Sequence, residues 1–270
     1  MIVARGQTSV HLALWRYRHF IVASILSELK GRFARSRIGL FWSILHPLAQ
    51  ALIFALVLSE VLGAKLKGVN FEAGYSIYLM AGLAAWGLFS EILNRCLTVF
   101  IDNAGVMKKI AFPRICLPVI VWGSALLNHL LLLAAIAVVF LFFGHIPGAA
   151  WLFLPAGILL ISVLAFGLGM MLGIINVFVR DVGQLLSVVL QVWFWLTPIV
   201  YPISTLPEQL RWLLDINPMV PLVGIYQNAM LFDTLPSIEP LLVPAIVAFA
   251  LFGMSFVLFR RASPELVDAL

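Results

Sequence analysis

Six apolar stretches, at residues 39–63, 75–97, 117–143, 151–179, 183–203 and 241–259, constrain this chain more than any single residue does. A helix needs about 20 predominantly apolar residues to cross the hydrocarbon of a bilayer, and each stretch supplies them. Lipid offers no partner to a backbone N–H or C=O, so segments of this kind fold as helices, which satisfy those groups internally. Hydrophobic residues make up 63% of the chain and charged residues 11%, against about 45–50% and about 25% in soluble domains. The expected fold is therefore all-α: a polytopic membrane protein with six transmembrane helices in a domain spanning 39–270, preceded by an interfacial segment at 1–38.

The charges orient those helices. Arg5, Arg16, Arg18, Lys30, Arg32, Arg35 and Arg37 precede the first stretch. Arg95, Lys108, Lys109 and Arg114 surround the second connection, Arg180 lies in the fourth, and Arg260 and Arg261 follow the last stretch. Only Lys65, Lys67 and Arg211 of the 17 basic residues fall to the other side, so the positive-inside rule puts both termini in the cytoplasm. The same rule accounts for the net charge of +5 without nucleic acid. Cys96 and Cys116 form neither a disulfide framework nor a metal-binding spacing, and no metal site is expected.

Within 1–38, the apolar residues Val22, Ile25, Leu26, Leu29 and Phe33 recur at helical steps, while Glu28, Lys30, Arg32 and Arg35 fall elsewhere on the wheel. This pattern predicts an amphipathic helix along the cytoplasmic leaflet, either a docking or lipid-gating element or a simple anchor. The connection at 102–110 is short and polar, and Pro113 follows it, which suits one or two helical turns lying across the membrane plane. Residues 204–240 mix Glu208, Asp215, Asp233 and Glu239 with apolar patches too short to span, broken by Asn217-Pro218 and Pro221. Short helices that dip into the outer leaflet and return would satisfy that composition only if protein buries them.

Inside the fifth stretch stands Trp193-Phe194-Trp195-Leu196-Thr197-Pro198-Ile199-Val200-Tyr201-Pro202. Two prolines at membrane depth free backbone carbonyls, which neighbouring helices or a water-lined cavity must take up. The rings of Trp86, Phe89, Trp193, Phe194, Trp195 and Tyr201 are candidates to line a channel and stack against a passing substrate. An interfacial aromatic belt is the alternative. In the fourth stretch Gly169 and Gly173 form a G-x-x-x-G step that permits close packing, within the chain or across a dimer.

No G-x-x-x-x-G-K-[ST] loop occurs, so the chain lacks the backbone cradle for ATP phosphates and any ATP-driven work needs a partner. Glu60, Glu91, Arg95, His46 and His129 lie in or beside apolar segments and would serve a proton relay. Glu91 and Arg95, however, are four residues apart and can pair on one helix face. Ser124 and His129 fall about 140° apart around one helix, too far for a nucleophile and base to touch.

Arg35-Ser36-Arg37-Ile38-Gly39-Leu40-Phe41-Trp42-Ser43-Ile44-Leu45-His46-Pro47, Lys108-Lys109-Ile110-Ala111-Phe112-Pro113-Arg114, Arg180-Asp181, Phe194 through Pro202, and Asn217-Pro218 recur here in order. The series resembles the membrane subunit of type-2 ABC exporters for polysaccharides, the O-antigen, capsule and teichoic-acid permeases, over nearly the whole chain. The resemblance implies a bacterial inner-membrane homodimer forming a channel for a lipid-linked glycan, most simply O-antigen. It also implies two copies of a cytoplasmic ATPase that binds ATP and Mg, with no cofactor in this chain. By the same likeness the coupling helix is 102–110, with Asp102, Lys108, Lys109 and Arg114 as ATPase-coupling residues. Arg35, Arg37, Trp42, Arg180 and Asp181 stand at a cytoplasmic gate or interface, and 204–240 is re-entrant.

Overall fold

The computed structural model describes residues 10–34, 45, 49, 74–109, 112–142, 146–266 and 269–270. The helices among them are α1 (Val10–Arg16), α2 (Arg18–Ala34), α3 (Gly74–Asp102), α4 (Ala104–Lys109), α5 (Cys116–Phe142), α6 (Leu154–Phe178), α7 (Asp181–Leu196), α8 (Trp212–Ile216), α9 (Met219–Gln227) and α10 (Glu239–Ala262). A 3-10 turn at Ala149–Phe153 leads into α6, and a π-helical turn at Asn228–Phe232 continues α9. The expected first span, 39–63, lies outside the described residues apart from Leu45 and Ala49.

Among the described residues four helices are long and apolar enough to cross a membrane: Gly74–Asp102, Cys116–Leu141, Ala149–Phe178 and Glu239–Ala262. The fifth expected span is shorter than its hydropathy suggested. It is helical for 16 residues and stops at Leu196, because Thr197 precedes a proline and is held extended at φ −103° and ψ 131°. Pro198 itself can donate no N–H to continue the ladder.

At the centre is α3, whose buried residues run from Gly74 to Phe100. Against it, α6 packs backbone to backbone. A Cβ on Gly169 would stand 2.8 Å from the Cβ of Cys96, and one on Gly173 would stand 2.3 Å from the Cys96 carbonyl oxygen. The G-x-x-x-G step is thus used within the chain. Asn176 locks the same seam by donating to the Leu97 carbonyl at 3.1 Å. On its far side α6 meets α10 through Phe166, whose ring lies 5.5 Å from Phe252 and 6.2 Å from Phe256.

These contacts set the directions of the helices. Because Gly82 lies beside Gln227 and Ile199, Gly157 beside Tyr226, and Gly173 beside Cys96, α3 and α6 run the same way. One end of the bundle therefore gathers α4, the α6–α7 junction at Arg180 and the end of α10 with Arg260 and Arg261. This is the basic end, and Arg114 fastens it by donating to the backbone carbonyl of Ser263.

Candidate functional site

The proline run is buried where it leaves α7: Thr197, Pro198, Ile199 and Val200 are all covered. Side chains from elsewhere take up its carbonyls. Tyr78 donates its hydroxyl to the carbonyls of Pro198 at 2.9 Å and Tyr201 at 3.1 Å, Gln227 donates to Pro198 at 3.0 Å, and Tyr75 donates to Val200 at 2.5 Å. This is the compensation that a broken helix at membrane depth requires. Tyr75 and Tyr78 sit three apart on α3, so one helix face carries both donors.

Asn217 closes the corner. Its Oδ1 accepts from the indole N–H of Trp193 at 2.8 Å and from the Met219 amide at 3.0 Å, while its Nδ2 donates to Leu196 at 3.2 Å and to Thr197 Oγ1 at 3.0 Å. The Asn-Pro pair at 217 and 218 is thus the joint between α7 and the buried helix α9. In α9, Met219, Leu222, Val223, Ile225 and Tyr226 are buried, so protein covers this part of the 204–240 stretch.

All six candidate aromatics come together. Phe89 packs on Trp193 at 5.1 Å, Trp86 on Phe89 at 5.5 Å, on Phe194 at 5.6 Å and on Trp193 at 6.4 Å, and Phe194 on Trp195 at 5.6 Å. Tyr201 joins them by donating its hydroxyl to the Trp195 carbonyl at 2.8 Å. Exposure separates them: Phe89 is wholly covered and Trp86 nearly so, whereas Trp195 is 54% exposed. Phe89 therefore acts as packing beneath the rings that reach the surface.

Next to this cluster an open groove of about 580 Å³ runs between α3 and α7, with Leu132 of α5 at its base. Trp86 and Phe194 supply rings, and Ser90, Asn94, Ser187 and Gln191 supply hydroxyls and amides. On α3 the lining residues Leu83, Gly87, Ser90 and Asn94 follow steps of four, three and four, so they form one stripe. On α7 the exposed Gln184, Ser187 and Gln191 do the same. Sequence reading of aromatics alone missed these polar residues. Their signal was present as a hydroxyl or amide every three to four residues within apolar helices, polarity that a lipid-facing surface does not tolerate cheaply.

At the basic end, α4 is a short helix anchored by buried Met107, with Lys108 and Lys109 exposed and Asp102 exposed just before it. Ile110, the last residue expected in that element, lies outside the described residues. Arg114 is half-buried and turns one guanidinium nitrogen to Ser263. Arg180 and Asp181 are exposed at the α6–α7 junction. Arg35, Arg37 and Trp42 lie outside the described residues.

Of the other ionisable candidates, His46 and Glu60 lie outside the described residues. Arg95 pairs with Glu91 at 3.5 Å, as their spacing suggested, and more closely with Glu28 of α2 at 2.6 Å. Ser124 donates to Glu28 at 2.8 Å, and His129 meets the Tyr226 hydroxyl at 2.9 Å, so neither addresses the other as nucleophile and base would. Among the described residues no group of three or more His, Cys, Asp or Glu could hold a metal ion.

Residues 20–231 match the model of the ABC-2 type transporter family. The chain is 28% identical to the O-antigen export system permease protein RfbA of Myxococcus xanthus, over 95% of this chain and 97% of that protein. It is 29% identical to the RfbA permease of Klebsiella pneumoniae over 77% of this chain and 78% of that one. It is also 24% identical to the polysialic acid transport protein KpsM of Escherichia coli, over 78% and 81%. A buried proline-broken helix, an intrachain glycine seam and a short basic-end helix thus lie within a chain that belongs to the ABC-2 type transporter family, as a membrane permease rather than an enzyme.

Proposed function

We propose that this chain is the permease subunit of an ATP-driven polysaccharide exporter in a bacterial inner membrane, and that its cargo is a lipid-linked glycan of the O-antigen type. Two copies form the channel, and two copies of a separate ATPase, carrying ATP and Mg, dock at the basic end, which faces the cytoplasm together with both termini. Capsule or teichoic-acid glycan is the alternative cargo. The relatives' substrates support a glycan, and the groove between α3 and α7 carries the reading furthest. On this open face of two apolar helices Ser90, Asn94 and Ser187 donate to the carbonyls of Gly87 at 3.3 Å, Ser90 at 2.8 Å and Gln184 at 2.7 Å. That leaves their acceptor oxygens and the Gln191 amide turned to the groove, a polar stripe that lipid would not solvate. Facing a hydrated glycan, they exchange hydrogen bonds with sugar hydroxyls while Trp86, Phe194 and Trp195 cover C–H faces. A sequence-tolerant surface of this kind lets a polymer slide.

On this reading α4 takes the stroke of the ATPase through Asp102, Lys108 and Lys109, and Arg180 and Asp181 lie beside the cytoplasmic mouth. The buried pieces of 204–240 form the re-entrant layer at the exit. A proton-coupled mechanism finds less support, because Glu91 and Arg95 are committed to ion pairs. The test is export per assembled complex in Trp86→Ala, Trp195→Ala and Gln191→Leu. Loss of export at normal membrane abundance supports a glycan path, whereas reduced abundance with unchanged export per complex assigns the same residues to packing.

A further inference from the structure

A polar cluster that joins three helices side chain to side chain lies outside the groove's lining. Glu28 of α2 accepts from Arg95 of α3 at 2.6 Å and from Ser124 of α5 at 2.8 Å. Arg95 also reaches Glu91 at 3.5 Å, and Glu91 accepts from Asn128 of α5 at 3.0 Å. Five side chains therefore join three helices. The packing around them is close: a Cβ on Gly123 would stand 2.4 Å from Cδ1 of Ile25, so α2 lies in contact with the α5 backbone. Glu28, Arg95 and Glu91 are partly covered, at 24–31% exposed, and a charge so placed is costly unless it is paired. Here each is bonded to a different helix.

The position of the cluster suggests a purpose. Ser90 and Asn94, which line the groove, are the immediate neighbours of Glu91 and Arg95 on α3, and Leu132 at the groove's base is one turn beyond Asn128 on α5. Toward the basic end, the ring of Phe20 on α2 lies 6.0 Å from Phe112, just beyond α4. One end of α2 thus touches the segment that follows the coupling element, and its middle is fastened to α3, one wall of the groove, and to α5 at its base.

We infer that Glu28, Arg95, Glu91, Asn128 and Ser124 form a positioning clamp that makes α2 move as one body with α3 and α5, so that displacement at the basic end is delivered to the α3 wall and the α5 base of the groove. The inference rests on the proposed glycan path. With the clamp intact, α2 stays seated on α5 throughout the transport cycle. With it broken, the ATPase still turns over but that wall and base no longer follow.

The complex of permease and cognate ATPase in lipid nanodiscs or proteoliposomes tests this through export per ATP hydrolysed, a ratio that a loss of folded complex does not change. Glu28→Ala is expected to lower the ratio about three- to tenfold while ATP hydrolysis per complex persists. Glu28→Gln keeps one acceptor oxygen for Arg95 and turns an amide N–H toward Ser124, whose hydroxyl can accept instead, so it should lower the ratio less. A proportionate fall of both activities, or no change in the ratio in either variant, overturns the clamp. A second arm joins Ile25→Cys to Gly123→Cys in a chain lacking Cys96 and Cys116, and oxidises the pair. Undiminished export by the cross-linked complex supports a permanently seated α2, and abolished export that reduction restores contradicts it. Gln191→Leu is measured alongside. If it leaves export unchanged while Glu28→Ala lowers the ratio, the clamp stands and the groove assignment falls; if only Gln191→Leu acts, the clamp falls and the groove stands.

Discussion

The indole N–H of Trp193 donates to Oδ1 of Asn217 at 2.8 Å, tying the last full turn of α7 to the start of the buried helix α9. With its other bonds to Leu196, Thr197 and Met219, the Asn217 amide is fully used on both its oxygen and its nitrogen.

Replacing Asn217 with alanine is therefore expected to destabilise the protein by about 2–3 kcal/mol, since it strands buried groups as well as removing bonds. Trp193→Phe removes one donor but keeps the ring contacts with Phe89 and Trp86, and should cost about 1 kcal/mol. Thermal unfolding in one detergent orders the two variants. Equal stability of Asn217→Ala and the unaltered chain would contradict this joint.

The seam between α3 and α6 gives a second comparison. Gly173→Val drives a side chain into the Cys96 carbonyl and should cost about 1–3 kcal/mol or prevent accumulation of the protein. Gly253→Ala in α10, where an added Cβ meets nothing within 4 Å, should leave stability unchanged or raise it by up to about 1 kcal/mol. Membrane abundance and melting of the two variants decide it. Tolerance of valine at residue 173 would mean that the helices are not seated this closely.

Purified to homogeneity, the chain should neither bind nor hydrolyse ATP, as expected without a phosphate loop. Bound to its ATPase in two copies each, it should carry the coupling surface on α4. Lys108→Glu or Asp102→Lys then lowers ATPase activity coupled to transport while the permease stays folded, because a reversed charge opposes a complementary docking surface. Full coupling in both variants would reduce α4 to a connection that fixes topology.

Much of this was legible in the sequence, for reasons specific to each element. Apolar length alone located α3, α5, α6 and α10 to within a few residues, because lipid crossing demands a fixed span. The end of α7 was misjudged because hydropathy averages over Thr197-Pro198, whereas the backbone breaks there. The aromatic candidates were found as a set but not sorted, since Phe89 and Trp195 have the same chemistry and differ only in which neighbours cover them. For α2, the wheel marked Val22, Ile25, Leu26 and Leu29 as one apolar face. In the structure Ile25 and Leu29 turn toward the bundle while Val22 and Leu26 are exposed. Glu28 lies on the packed side because Arg95 and Ser124 await it, and those partners are 67 and 96 residues away in the chain. Pairing at that range has no periodic signature.

The most direct test of the central claim is the reaction of single cysteines with a membrane-impermeant thiol reagent during active export, in a chain whose Cys96 and Cys116 have been replaced. Cysteine at Ser90, Ser187 or Gln191 in the groove should react in the assembled, transporting complex and be protected when glycan fills the path, while cysteine at the apolar, exposed Val188 or Val192 should stay unreactive. Unreactive groove positions throughout transport, or equal reaction on both faces of α7, would contradict a glycan path between α3 and α7.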